Sequence, residues 1–223
     1  MERPEAISRL AKLVGQDLRP LADKYAITVW KAGKKNKGWA GHVIERHLGL
    51  ALNSSRAPNF GSWELKMVSL KDRAGILSVK ETMAITMLDP VEVLQKPFEQ
   101  SHLLAKLSKL IIVSRIFQTQ ADDRSIIYSI GQFDIGDTDV FLRVRQDYEE
   151  VRKVLKRLGP LGLSGRMGIL VQPRTKGAGH GSVSRAFYAR TQFVRELIGL
   201  QQPALDKWER GLDGTLSYIR GIE

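Results

Sequence analysis

Pro58-Asn59-Phe60-Gly61-Ser62-Trp63-Glu64-Leu65-Lys66 sets a run of turn-forming residues directly before an alternation of charged and apolar ones. Side chains on a strand repeat every two residues, so Glu64 and Lys66 share one face and Leu65 enters the other. A carboxylate at 64, an upstream acid or amide such as Asn59 and the main-chain carbonyl of Leu65 are hard oxygen ligands suited to Mg2+. The ammonium of Lys66 can orient an attacking water or neutralise phosphoryl oxygens. Phosphodiester hydrolysis needs these parts. Taken alone, Glu-x-Lys also describes an ordinary surface strand, so its neighbours have to decide.

Around this stretch, short apolar or alternating runs predict five strands: Trp63 to Leu70, Thr82 to Leu88, Leu110 to Val113, Ser125 to Ile130 and Met167 to Val171. Helical spacing predicts one or two amphipathic helices over 3–26, interrupted near Pro20. A further helix from Trp39 to Leu52 carries Glu45 near its middle, with Gly49 weakening its end. Pro90 to Lys109, Gln146 to Leu158 and Ser184 to Ile198 also read as helices. The class is α/β or α+β with a mixed sheet. Lys31 to Gly38 crowds four lysines and two glycines into a mobile basic loop. Gly and Pro cluster at 158–162 and 173–181, which read as loops inside one fold.

The chain has 223 residues, 43% of them hydrophobic, which is enough for a real core in one domain or a compact two-lobed one. With no cysteine there is no disulfide framework, thiolate zinc site or Cys nucleophile, and a cytoplasmic protein is the default. No apolar run approaches a membrane span, and the charged start Met1-Glu-Arg-Pro-Glu5 does not predict secretion. A net charge of +11 favours a polyanion, nucleic acid first and an anionic membrane surface second, with a merely solvated basic surface as the plain alternative. His42, His47, His102 and His180 lack metal-ligand spacing, and no glycine-rich phosphate loop occurs.

Trp39-Ala-Gly-His-Val-Ile-Glu45-Arg-His-Leu-Gly49, then Pro58-Asn-Phe60, then Glu64-Leu-Lys66 resembles the PD-(D/E)xK nucleases. The similarity is to the branch holding the MutH mismatch-repair nicking endonuclease and the MvaI/BcnI-type restriction endonucleases. It continues through Lys80-Glu-Thr-Met and Leu104-Ala-Lys106-Leu-Ser-Lys-Leu-Ile-Ile-Val113. Further matching segments are Gly168-Ile-Leu-Val-Gln-Pro-Arg174-Thr-Lys176 and Ser184-Arg-Ala-Phe-Tyr188-Ala-Arg-Thr-Gln-Phe193. The resemblance implies a restriction-endonuclease-like mixed sheet flanked by helices, two-lobed around a DNA-binding cleft, over a single domain at 1–223. Within it, about 37–130 would form the catalytic core and about 160–200 the DNA-recognition segment.

The resemblance further implies Glu64 as metal ligand, Lys66 as water or phosphate contact and Mg2+ as cofactor. Glu45 would support the site by ordering water on the metal or bonding Lys66. Lys106 would assist the site, or be an ordinary solvated helix end. Asn59 departs from the family's Asp. Three explanations stand: a substitution introduced to trap uncleaved DNA, a naturally weakened nuclease, or Asp72 supplying the charge from a shifted position.

Between Leu161 and Leu200 stand six Arg or Lys (Arg166, Arg174, Lys176, Arg185, Arg190, Arg195) against a single acid, Glu196. Gln172 to Gly181, including His180, is the expected DNA reader: Arg174 suits a bidentate contact to guanine, and Lys176 a base or a phosphate. Tyr188 matches a family position near the bases, although an aromatic on an amphipathic helix also suits a core. Arg190, Lys34, Lys35 and Lys37 are phosphate candidates. The expected function is a Mg2+-dependent, sequence-specific endonuclease on double-stranded DNA, of type II restriction kind and monomeric by resemblance. The rivals are a repair nickase recruited by a partner, a catalytically silent DNA-binding protein and a basic scaffold that is no nuclease.

Overall fold

The computed structural model describes residues 1–50, 58, 60–73, 76–136, 138–176 and 184–200, and the backbone of two strands at 208–210 and 216–218. The chain opens with α1 (Arg3–Ala11), α2 (Leu18–Lys24), a hairpin of β1 (Trp30–Lys31) and β2 (Lys34–Lys35), and α3 (Trp39–His47). Next come β3 (Glu64–Arg73), β4 (Ile76–Val79), β5 (Met83–Leu88), α4 (Pro90–Gln95) and α5 (His102–Leu107). Then follow β6 (Lys109–Phe117), β7 (Ser125–Asp134), α6 (Asp139–Leu158), β8 (Val171–Thr175) and β9 (Arg185–Ala189). Last are α7 (Thr191–Leu197), β10 (Trp208–Arg210) and β11 (Leu216–Tyr218).

The main sheet runs β10-β11-β7-β6-β3-β4, with β3 parallel to β6 and β6 antiparallel to β7. A second sheet, β5-β9-β8, is antiparallel throughout. The apolar run of β6 explains why it is central: Leu110 and Ile112 enter one core, Ile111 and Val113 the other. A strand buried on both faces cannot alternate with polar residues. One core gathers α1 to α3 under the main sheet, and the other packs β5, β9 and α4 to α7 on its opposite face. This curled mixed sheet between helices is consistent with a restriction-endonuclease-like fold.

Several boundaries differ from expectation. Pro20 lies in the first turn of α2, where a missing N–H costs nothing, and the break falls at 12–17, where Gly15 has φ +82. Asp17 caps α2 by accepting from the amide of Arg19 at 3.1 Å and also accepts from the amide of Ser125 at 2.9 Å, tying the helix to β7. The predicted helix from Pro90 to Lys109 is cut at Pro97, since the residue before proline is driven out of the helical region and Lys96 is extended. Lys31 to Gly38 is no patternless loop, because its first part is the β1–β2 hairpin turning through Ala32 and Gly33, both at positive φ.

The predicted helix Ser184 to Ile198 is a strand followed by a helix. Residues 185–189 form the middle strand of the second sheet, paired on both edges, and α7 starts only at Thr191. The predicted strand Met167 to Val171 begins four residues late, at Val171. The buried carboxylate of Asp147 on α6 takes the amides of Ile169, Leu170 and Val171 at 2.7, 2.8 and 2.7 Å, so the first two cannot join a ladder. On the carbonyl side, the Arg190 guanidinium donates to Gly165, Met167 and Gly168, and Gln192 donates to Ile169. The segment entering β8 is thus clamped through its own backbone.

Losing the Asp147 carboxylate leaves three amides without their acceptor. Asp147→Ala should lower stability by about 3 kcal/mol, read as a lower urea midpoint at unchanged slope. A midpoint within error of the wild type would show that water replaces the clamp.

Candidate active site

Glu64 opens β3 where the strand leaves the turn begun at Pro58. That turn is fixed by its flanks: Phe60 stacks on Trp63 at 3.8 Å, the Phe60 amide donates to the Trp63 carbonyl at 3.1 Å, and the Gly61 amide donates to Pro58 at 3.1 Å. Asn59 and His180 lie outside the described residues. Glu64 is 2% exposed, and its two carboxylate oxygens each meet a lysine: Lys66 Nζ at 2.8 Å on Oε1 and Lys106 Nζ at 2.8 Å on Oε2. Leu65 points the other way, into the core beneath α1 to α3.

Lys106 is therefore not a solvated helix end. It is buried on α5, whose start is capped by Ser101 accepting from the amide of Leu104 at 3.1 Å. Lys66 also donates to the carbonyl of Ile85 at 3.1 Å, joining β3 to β5 and so the two sheets. Burial pushes the Lys66 ammonium below the ordinary lysine range; Glu64 opposes this, while Lys106 and Lys176 press it further down. The charge of Lys176, at the end of β8, is thus felt at Lys66.

The Leu65 carbonyl faces an open edge of β3. Lys80 donates its amide to the Ser69 carbonyl at 2.9 Å, which turns odd-numbered carbonyls of β3 toward the β4 side. Pairing with β4 covers only Leu70 to Arg73, so among the described residues no strand covers that edge at Leu65. Glu45 sits half-buried on α3, which passes close to β3 at Gly41, where a Cβ would lie 3.9 Å from that of Met67. Asp72 cannot stand in for the missing acid. It lies eight residues along β3 from Glu64, about 26 Å at strand rise.

Among the described residues no three His, Cys, Asp or Glu side chains gather as a metal cluster. The donors present at the site, one carboxylate and one edge carbonyl, are all oxygen. They fit a hard cation.

A cleft beside Lys66 is lined by Lys37, Gly38, Ser69, Thr82 and Arg115, among others. Arg174 on β8 donates to Thr82 at 2.7 Å and lies 5.6 Å from the Tyr188 ring, so the second sheet reaches the cleft rim. Tyr188 is a half-buried strand residue, not a helix one. Arg166, Lys34 and Lys176 are exposed; Arg190 is engaged by the carbonyls of the clamped segment. Lys35 is held inward, 3.0 Å from Asp122 Oδ2.

Asp122 is the residue that sequence reasoning missed. Its fully buried carboxylate accepts from Arg115 at 2.7 and 3.0 Å and from the Trp39 indole at 2.7 Å. An arginine inside the apolar run of β6 was a signal that a buried acid must exist; nothing marked which one. Burial alone would raise the Asp122 carboxyl, but bonds from Arg115 and Trp39, the Arg115 charge and Lys35 hold it below the usual range. No helix among the described residues is long and apolar enough to cross a membrane.

A family model described as "DNA mismatch repair enzyme MutH" matches residues 48–139. A DNA mismatch repair protein MutH of Vibrio cholerae serotype O1 (strain O395) is 26% identical over 212 residues, covering 87% of this chain and 94% of its own. One from Shewanella woodyi is 26% identical over 217 residues, covering 87% and 90%. One from Pasteurella multocida is 25% identical over 211 residues, covering 87% and 93%.

Two titrations test the site. In protein with 13C-methylated lysines, Lys66 should titrate below 10.5; Lys106→Met should move it up and Glu64→Gln further down. A Lys66 signal indifferent to both changes would rule out the shared clamp. A native carboxyl held low means that the unfolded chain binds the extra proton, so Asp122 stabilises above its unfolded pKa of about 3.8. The loss of melting temperature caused by Asp122→Asn should be full at neutral pH and shrink as the pH falls through the lowered native value. A deficit that grows in acid would contradict this.

Proposed function

We propose that the chain is a MutH-like member of the PD-(D/E)xK nucleases, a sequence-specific, Mg2+-dependent endonuclease that hydrolyses phosphodiester bonds in double-stranded DNA; the matching family model and the relatives support this reading. The observation that carries this is the buried Glu64 with one lysine on each oxygen, on a strand leaving the turn at Pro58. Glu64, the Leu65 carbonyl and the side chain at 59 would hold the cation. When bound, it would supply Lewis-acid polarisation of the phosphoryl group and a more acidic water.

Lys66 orients the attacking water or neutralises a non-bridging oxygen, and its depressed pKa lets it shed a proton more readily than an exposed lysine. Lys106 holds the Glu64 carboxylate in place through its contact at 2.8 Å, and Glu45 supports the site from α3. Arg174, Lys176 and Tyr188 read or stack against bases, with His180 in the same segment. Lys34, Lys35, Lys37, Arg166 and Arg190 meet or support contacts to the backbone. Both oxygens of Glu64 carry ammonium groups, so a cation has to compete for them, and Asn59 brings no charge to help. The protein as it stands then binds DNA better than it cuts it.

The mismatch-repair names of the relatives favour strand nicking. The five-residue step from Asn59 to Glu64 favours the restriction-type alternative, in which both strands are cut. In either case we place the work in the cytoplasm, by a monomer.

Asn59→Asp should raise plasmid cleavage in Mg2+ by on the order of 100-fold, and Glu64→Gln in that background should abolish it. Nicked circles from hemimethylated plasmid mean the repair kind; linear product from unmethylated plasmid means the restriction kind. An Asn59→Asp protein that binds duplex DNA but leaves every plasmid intact would reduce the chain to a DNA-binding protein and overturn the enzyme.

A further inference from the structure

The wall of the cleft opposite the β5 side is built on one carboxylate. Asp122 gathers Arg115 from β6, Trp39 from the first turn of α3 and Lys35 from β2. The loop carrying Asp122 is fastened to the hairpin by two more bonds: Trp30 Nε1 to the carbonyl of Ala121 at 2.7 Å and Lys35 Nζ to that of Gln120 at 3.3 Å. Aromatic faces complete the packing. Arg115 lies 5.3 Å from the Trp39 ring, and Lys35 and Lys80 lie 5.1 and 4.6 Å from Phe117. Two cations on one buried carboxylate leave a positive charge over. Arg115 is 6% exposed, its Nε has no hydrogen-bond partner, and its side chain borders the cleft with Lys37 and Lys66.

We propose that Asp122 is a positioning residue for DNA: it fixes Arg115, Lys35 and the Lys37–Gly38 entry to α3 as a rigid cationic wall along which the DNA backbone passes beside Lys66. This rests on the nuclease reading above. A lysine-rich hairpin left to itself would spread its charges through solvent, and each phosphate contact would cost side-chain and backbone order. Tied to one internal anion, the wall has lost that freedom before DNA arrives. The position also suits its residue. Asp122 has φ +55, a left-handed conformation that Asp and Asn tolerate, so Asp122→Asn removes the charge without adding backbone strain.

The test exploits a difference in sign. Asp122→Asn raises the net charge by one unit, so if Asp122 were only a buried charge near the cleft, duplex DNA should bind more tightly. A positioning role requires weaker binding. The measurement is fluorescence anisotropy of a labelled 30-base-pair duplex across a salt series, without divalent metal, at a temperature where circular dichroism shows each variant folded. Affinity should fall about tenfold, and the slope of log K against log salt should become shallower by about 1. A merely structural role lowers the melting temperature and leaves that slope unchanged. Trp39→Phe removes one donor to Asp122 at constant charge and should weaken binding in the same direction, which covers the case where Asp122→Asn fails to fold. Glu5→Gln adds the same charge on an exposed pair with Arg9 and should not weaken binding. If wild type binds and both cleft variants bind as well or better with an unchanged slope, the inference is wrong while the nuclease reading stands. If wild type binds no duplex at low salt, both fall.

Discussion

A carboxylate removed from water loses its hydration, and the loss is tolerable only where hydrogen-bonded cations replace it. Glu64 satisfies that condition with two ammonium groups from different parts of the chain, Lys66 two residues along its own strand and Lys106 on α5. Because Lys66 also reaches the Ile85 carbonyl, the same small cluster fixes β3 against α5 and β5. Those are the elements that join the main sheet to the smaller one. Chemistry and architecture therefore share one constraint, and a change at any of the three charges is felt in both.

The shared face of Glu64 and Lys66 was legible in the sequence because strand periodicity is a local property. Glu64 and Lys66 had to lie together, Leu65 had to lie apart, and Leu110 to Val113 had to be buried on both sides. What was not legible depended on partners far along the chain. Lys106 looks like any last-turn lysine until Glu64 is brought beneath it. Arg185 to Ala189 fits a helix by spacing and becomes a strand because β5 and β8 offer ladders on both edges. Asp122 carries no local signature, since its role comes entirely from Arg115, Trp39 and Lys35.

Part of the positive charge of the chain is not free surface charge. Arg190 is spent on carbonyls of the segment before β8, Lys35 on Asp122, and Lys66 and Lys106 on Glu64. These cations are held inside the fold, while Lys34, Arg166 and Lys176 are exposed. The basic residues therefore divide between those that hold the fold together and those left facing solvent.

Pro173 lies on β8, the outer strand of the smaller sheet. The amide of Lys176 pairs with Ser184, so even-numbered residues of β8 face β9 and the nitrogen of Pro173 faces outward. The inner ladder loses nothing. The outer edge lacks a donor at 173, and two residues earlier the Val171 amide is already taken by Asp147. Another chain seeking to extend the sheet at this edge would find two consecutive outward positions with no N–H to donate. The β8 edge of the sheet that carries Arg174 and Tyr188 is thereby a poor template for strand addition, which leaves the side chains on that strand, not its backbone, as the means of meeting another molecule.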